Sequence, residues 1–91
     1  MSMPFISAPE KEKVWVEIRM WGGLNSEIAV HRTLEGARKS FEAFCDDYSA
    51  KELDAYRDEG NYQDSDDYMH LYDADDRHTP EIIVEAVYVE D

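Results

Sequence analysis

Nine residues near the start of this chain alternate without a break. From Lys13 to Trp21, Val14, Val16, Ile18 and Met20 point one way, and Trp15, Glu17, Arg19 and Trp21 point the other. A period of two with β-branched residues is the signature of a strand, because successive side chains in extended backbone project to opposite faces. Gly22-Gly23-Leu24-Asn25 follows, a turn rich in residues that accept positive φ. Ser26 to Arg32 then resumes the alternation with Ile28 and Val30 on one face. The first third of the chain is therefore predicted to be a β-hairpin, and everything after it must pack against a sheet.

Thr33 is placed to cap a helix, with its side-chain oxygen accepting a free backbone N–H. Leu34, Ala37, Phe41, Phe44, Cys45 and Tyr48 follow at spacings of three and four and form one apolar stripe. Glu35, Lys39, Glu42 and Asp46 fall on the other side, and Gly36 weakens the first turn slightly. Ser49 and Glu52 have capping-box spacing, so a second helix is expected from Ala50 to about Asp58. Leu53 and Tyr56 supply its apolar contacts, and Gly60 is its stop. Asn61 to Asp67 reads as an acidic surface loop. Tyr68 to Tyr72 alternates again, Asp73 to Pro80 is a turn-rich loop, and Ile82 to Val89 is a strand apolar enough to sit inside the sheet. The expectation is an α+β domain over residues 13–91, in the order β-β-α-α-β-β, with helices packed on one face of an antiparallel sheet. Residues 1–12, with Pro4 and Pro9, read as a loose lead-in.

Size and composition narrow the rest. Ninety-one residues make one domain with a modest core. A content of 43% apolar and 12% aromatic residues excludes an acidic disordered tail. The single cysteine, Cys45, rules out an internal disulfide and reads as a small buried hydrophobe, which fits a reducing cytoplasm. The first nine residues lack the basic and apolar runs of a signal peptide. No stretch approaches the roughly 20 apolar residues of a membrane span.

Charge is distributed unevenly. Residues 1–45 hold six acids and six bases, whereas residues 46–91 hold sixteen acids against Lys51, Arg57 and Arg77. That difference of thirteen is the whole formal charge of −13. Solubility needs roughly 2–8 units in a small domain. A larger excess of one sign costs self-repulsion, so a cationic partner is expected to offset it. The same charge disfavours direct contact with nucleic-acid phosphates or anionic membranes.

The acids do not spell a metal loop. Calcium loops of the EF-hand type need oxygen ligands at positions 1, 3 and 5, Gly at 6 and a bidentate Glu at 12. Counting from Asp64 puts Tyr68 at 5 and Asp75 at 12; counting from Asp73 puts Arg77 at 5 and Val84 at 12. His31, His70 and His78 lack the spacing of a zinc site and read as exposed or half-packed rings. No phosphate loop and no nucleophile motif is present, so no catalytic residue and no cofactor are implied.

What remains is a surface. Asp46, Asp47, Asp54, Asp58, Glu59, Asp64, Asp66, Asp67, Asp73, Asp75 and Asp76, with Tyr62 and Tyr68 among them, are candidates to bind a partner. Carboxylates pair with Lys and Arg, and tyrosines add contact area at low entropy cost. Rows of carboxylates approximate the charge of duplex DNA, about one per 1.7 Å of axis. The stretch FCDDYSAKELDAYRDEGNYQDSDDYMHLYDADD, residues 44–76, set in a hairpin-and-helix scaffold, resembles the small acidic inhibitors of bacteriophages and mobile elements. Those proteins mimic DNA to block CRISPR effectors or restriction enzymes.

That resemblance implies a non-enzymatic cytoplasmic inhibitor occupying a basic nucleic-acid-binding protein. It is one of kind and carries no residue-by-residue correspondence. The competing readings are an acidic adaptor or antidote for another basic protein, a salt-adapted domain, and an enzyme. Four lysines among nine bases and a neutral first half argue against salt adaptation. Monomer and homodimer both stay open, since a hairpin edge or the segment 68–72 can pair with a second copy.

Overall fold

The structure, a computed structural model, describes residues 12–22 and 25–89. Most of the expected lead-in, together with Gly23 and Leu24 of the hairpin turn, lies outside the described residues. The elements are β1 (Lys13–Trp21), β2 (Asn25–His31), α1 (Leu34–Cys45), α2 (Ala50–Asp58), β3 (Tyr62–Asp64), β4 (Tyr68–Tyr72) and β5 (Pro80–Tyr88). The fold is α+β, with one antiparallel five-stranded sheet in the order β2-β1-β5-β4-β3. Its central strand is β5, the near-continuous apolar run.

Local chemistry sets the boundaries. Thr33 accepts the Gly36 N–H at 3.0 Å and starts α1. Ser49 and Glu52 exchange both bonds of a capping box at 3.1 and 3.0 Å and start α2. Gly60, at φ 81°, ends it. There the Asn61 N–H reaches Tyr56 O at 2.7 Å and the Gly60 N–H reaches Arg57 O at 3.0 Å, the paired bonds of a Schellman stop.

The sheet corrects one expectation. Residues 61–67 are not all loop, because Tyr62–Asp64 forms β3 against Leu71, His70 and Met69 of β4. The physical reason is Tyr62 itself. Its ring is 8% exposed and stacks on Phe41 of α1 with centroids 6.1 Å apart. A buried aromatic anchors a segment that its polar neighbours would otherwise leave in solvent.

The core lies between α1 and the sheet. Ala37, Phe41 and Cys45 from α1 meet Trp15, Met69, Leu71, Ile82 and Val84. The side chains with almost no exposure are Phe41, Met69, Leu71, Ile82 and Val84. Each contributes about 1.5–3 kcal/mol by leaving water. The face of β1 turned to the core is the more polar one. Trp15 and Glu17 are both buried there, and Glu17 is only 5% exposed. Arg19 Nε donates to Glu17 at 2.7 Å, His31 Nε2 lies 2.9 Å from its other oxygen, and Arg19 also reaches the Ser40 hydroxyl at 3.0 Å. Burial pushes the Glu17 carboxyl up, but bonds from Ser40, His31 and Arg19 outweigh it and hold the group below its usual value of 4.5. This network ties β1, β2 and α1 together.

Candidate acidic docking surface

The first-half bases fold back onto second-half acids. Arg38 of α1 bonds to Asp64 and, at 2.8 Å, to Asp66. Lys13 donates to Asp67 at 2.6 Å. The turn that carries these acids is fixed by its backbone as well: the Trp15 indole donates to Asp66 O, and the Ala86 N–H to Asp67 O, each at 2.8 Å. Asp64, Asp66 and Asp67 therefore act as internal counterions that clasp β1 and α1 to the β3–β4 turn. Asp54 is drawn to Arg57 at 3.5 Å.

Two further candidates are structural. Tyr62 belongs to the core, with the Arg57 guanidinium 4.8 Å above its ring, so it offers no free face to a partner. Asp73, 7% exposed, accepts four bonds: the Tyr48 hydroxyl at 2.9 Å, the Tyr56 hydroxyl at 3.0 Å, and the N–H groups of Asp75 and Asp76 at 3.1 Å. The carboxylate thus organises the β4–β5 loop and seats both tyrosines. Burial, and then the bond to Asp73, pushes the Tyr48 phenol up and the Tyr56 phenol up to about 12. Tyr68 is half-buried on β4, on the sheet face that carries His70.

The remaining acids concentrate where α1 ends. Asp47, Asp73 and Asp76 line an open cleft of about 540 Å³ with Trp21, Tyr48 and His78. Glu42, Asp46 and Asp64 line a second, of about 360 Å³, between α1 and α2. Tyr48 borders both clefts. Asp46, Asp47, Asp75 and Asp76 are exposed, and among the described residues none has an ion-pair partner. Asp58 and Glu59 are exposed at the far end of α2.

The position of this belt is electrostatically unfavourable for the isolated chain. A helix C-terminus carries a partial negative charge, and an acid there costs about 0.3–1 kcal/mol. Asp46 caps α1, and no base lies in its last turn. Cys45, just beneath, has its thiol pushed up to about 12, first by burial and then by Asp64, Asp46 and Glu42. It is therefore a buried thiol in a negative field, a setting that suppresses nucleophilic chemistry.

Sequence reasoning missed the Glu17–His31–Arg19–Ser40 network. The alternation in β1 carried the first signal, since Glu17 shares its face with two tryptophans. Among the described residues, no three His, Cys, Asp or Glu side chains gather to hold a metal ion, and no helix is long and apolar enough to cross a membrane. Comparisons with protein-family models, with curated proteins and with solved structures give no significant match.

Proposed function

We propose that this protein is a non-enzymatic inhibitor whose acidic belt occupies the cationic nucleic-acid-binding surface of a partner, of the kind found in CRISPR effectors and restriction enzymes. One observation carries the reading. Asp46, Asp47 and Asp76 border the two clefts that meet at Tyr48, with Asp75 next to Asp76 in the β4–β5 loop; among the described residues none of the four has an ion-pair partner, and Asp46 and Asp47 stand at a helix end that repels them. The folded chain bears that repulsion, and a Lys- and Arg-lined cleft relieves it on docking. Exposed carboxylates of one sign also steer such an encounter from a distance. The action needs occupancy alone.

The test is competition. A nuclease of either class is mixed with labelled target duplex and titrated with this protein across a salt series. Displacement of DNA is expected, weakening steeply as salt screens the exposed charges. The quadruple variant D46N/D47N/D75N/D76N is expected to lose at least tenfold in inhibition, while D54N/D58N loses little. Binding that persists unchanged with DNA saturating would instead favour the adaptor reading. Equal inhibition by the quadruple variant would remove the belt from the mechanism.

A further inference from the structure

The strand order gives the molecule two unlike edges. One is β3, three residues long and packed against α2. The other is β2, seven residues, Asn25-Ser-Glu-Ile-Ala-Val-His31, and among the described residues nothing pairs with its outer side. Natural sheets protect such an edge with Pro, Lys, a bulge or a short strand, because its free N–H and C=O groups template another strand. Of such devices β2 has only the single acid Glu27, on the face it shares with Arg19. Instead Ile28 is 70% exposed and Val30 60%.

We propose that β2 is the seam of a two-fold homodimer, in which two copies pair antiparallel through this edge and join their sheets into one of ten strands. The strand is self-complementary. A register centred on Ile28 matches all seven residues, setting Ile28 against its own copy, Ser26 against Val30 and Glu27 against Ala29. A register centred on Glu27 would oppose like charges, and one centred on Ala29 would lose two matched positions. An isologous contact needs this kind of symmetric match. The centred register also sets Ile28 against its own copy, with each Val30 diagonal to the other copy's Ile28, and so reduces their exposure.

Charge selects the same edge. Two copies of a chain at −13 repel, so they associate only where the local charge is low. Glu27 is the one acid of β2. The sheet face that carries Ile28 and Val30 continues through Val16, Ile18 and Ile83, and its acids among the described residues, Glu81 and Glu85, stand on β5, two strands in from the edge. Only part of the acidic belt lies far from this edge: α1 starts beside β2 and ends at Cys45 beside Asp64 of β3, about 19 Å across the sheet, whereas Asp47 and Asp76 line a cleft that reaches Trp21 of β1, the strand next to β2. Segment 68–72, the other sequence candidate for self-pairing, is β4 and already has strands on both sides.

Sedimentation velocity on the intact chain, from micromolar to near-millimolar concentration and from low to high salt, decides the matter. A dimer is expected, and salt is expected to tighten it, about tenfold between 0.05 and 0.5 M, because the Debye length shrinks from above 10 Å to a few Å. That sign is opposite to the salt effect on partner docking, so the two readings fail separately. I28K and V30K, at exposed positions, are expected to be monomeric with unchanged circular dichroism, and either one that folds suffices. D46N/D47N is expected to dimerise at least as well as the parent. I28C reports the register: with Cys45 buried, mild oxidation is expected to link two copies through position 28. A chain monomeric at every concentration and salt overturns the proposal. So does a dimer that survives I28K and V30K, or one in which I28C fails to cross-link.

Discussion

Lys13 donates to Asp67 across 2.6 Å, although the two are 54 positions apart in the chain. The bond takes one base from the neutral first half and one acid from the anionic second half. Arg38 does the same with Asp64 and Asp66. The charge asymmetry of the sequence is therefore partly consumed in folding, and part of what is left surrounds the end of α1.

The Arg38 clasp sets one expectation. R38A leaves Asp64 and Asp66 adjacent with no cation between them. The pairs are partly exposed, so the loss is expected to be modest, about 1 kcal/mol at low salt and less at high salt. Urea denaturation at two ionic strengths measures it. A loss independent of salt would mean that Arg38 acts through packing of its stem.

Asp73 is expected to matter far more. D73A leaves two phenol hydroxyls and two backbone N–H groups without their acceptor, and an expected loss is about 3 kcal/mol. D73N keeps the shape and loses less. The Tyr56 phenol, pushed up to about 12 first by burial and then by this carboxylate, is expected to titrate lower in either variant. Ultraviolet titration of tyrosine ionisation reads that change separately from stability.

Glu17 gives a pH dependence with a defined sign. Its folded value lies below 4.5, the value it takes when unfolded. The stabilisation is therefore complete above about pH 4.5 and is lost as acid carries the solution down through the folded value. E17Q removes the charge that Arg19 and His31 bond to, at about 2 kcal/mol near neutrality. The gap between parent and E17Q stability is expected to close below pH 4.5. A gap that stays constant through acid would show that the carboxylate charge is not what stabilises the network.

Legibility in the sequence followed the range of each interaction. The Thr33 cap, the Ser49–Glu52 box and the Gly60 stop were readable because each is closed within a few residues. The hairpin was readable because alternation is local. β3 was not, since three residues have too little pattern and Tyr62 is held by Phe41, 21 positions away in sequence. The roles of Asp64, Asp66, Asp67 and Asp73 were equally hidden. A carboxylate's neighbours in sequence reveal its type, whereas its cationic or phenolic partners arrive from other elements. The burial of Glu17 was concealed for the same reason, with His31 reaching it from the next strand.

The strand order also dictates when the molecule can first exist. Its middle strand, β5, is the last of the seven elements, and it pairs with the first, Lys13 against Tyr88 through Trp21 against Pro80. During synthesis the hairpin and both helices leave the ribosome with their central support still unmade. Closing a loop that long before any reward is slow. The nascent chain must wait, half assembled, for its final strand to slot between β1 and β4 and complete the sheet in one cooperative step.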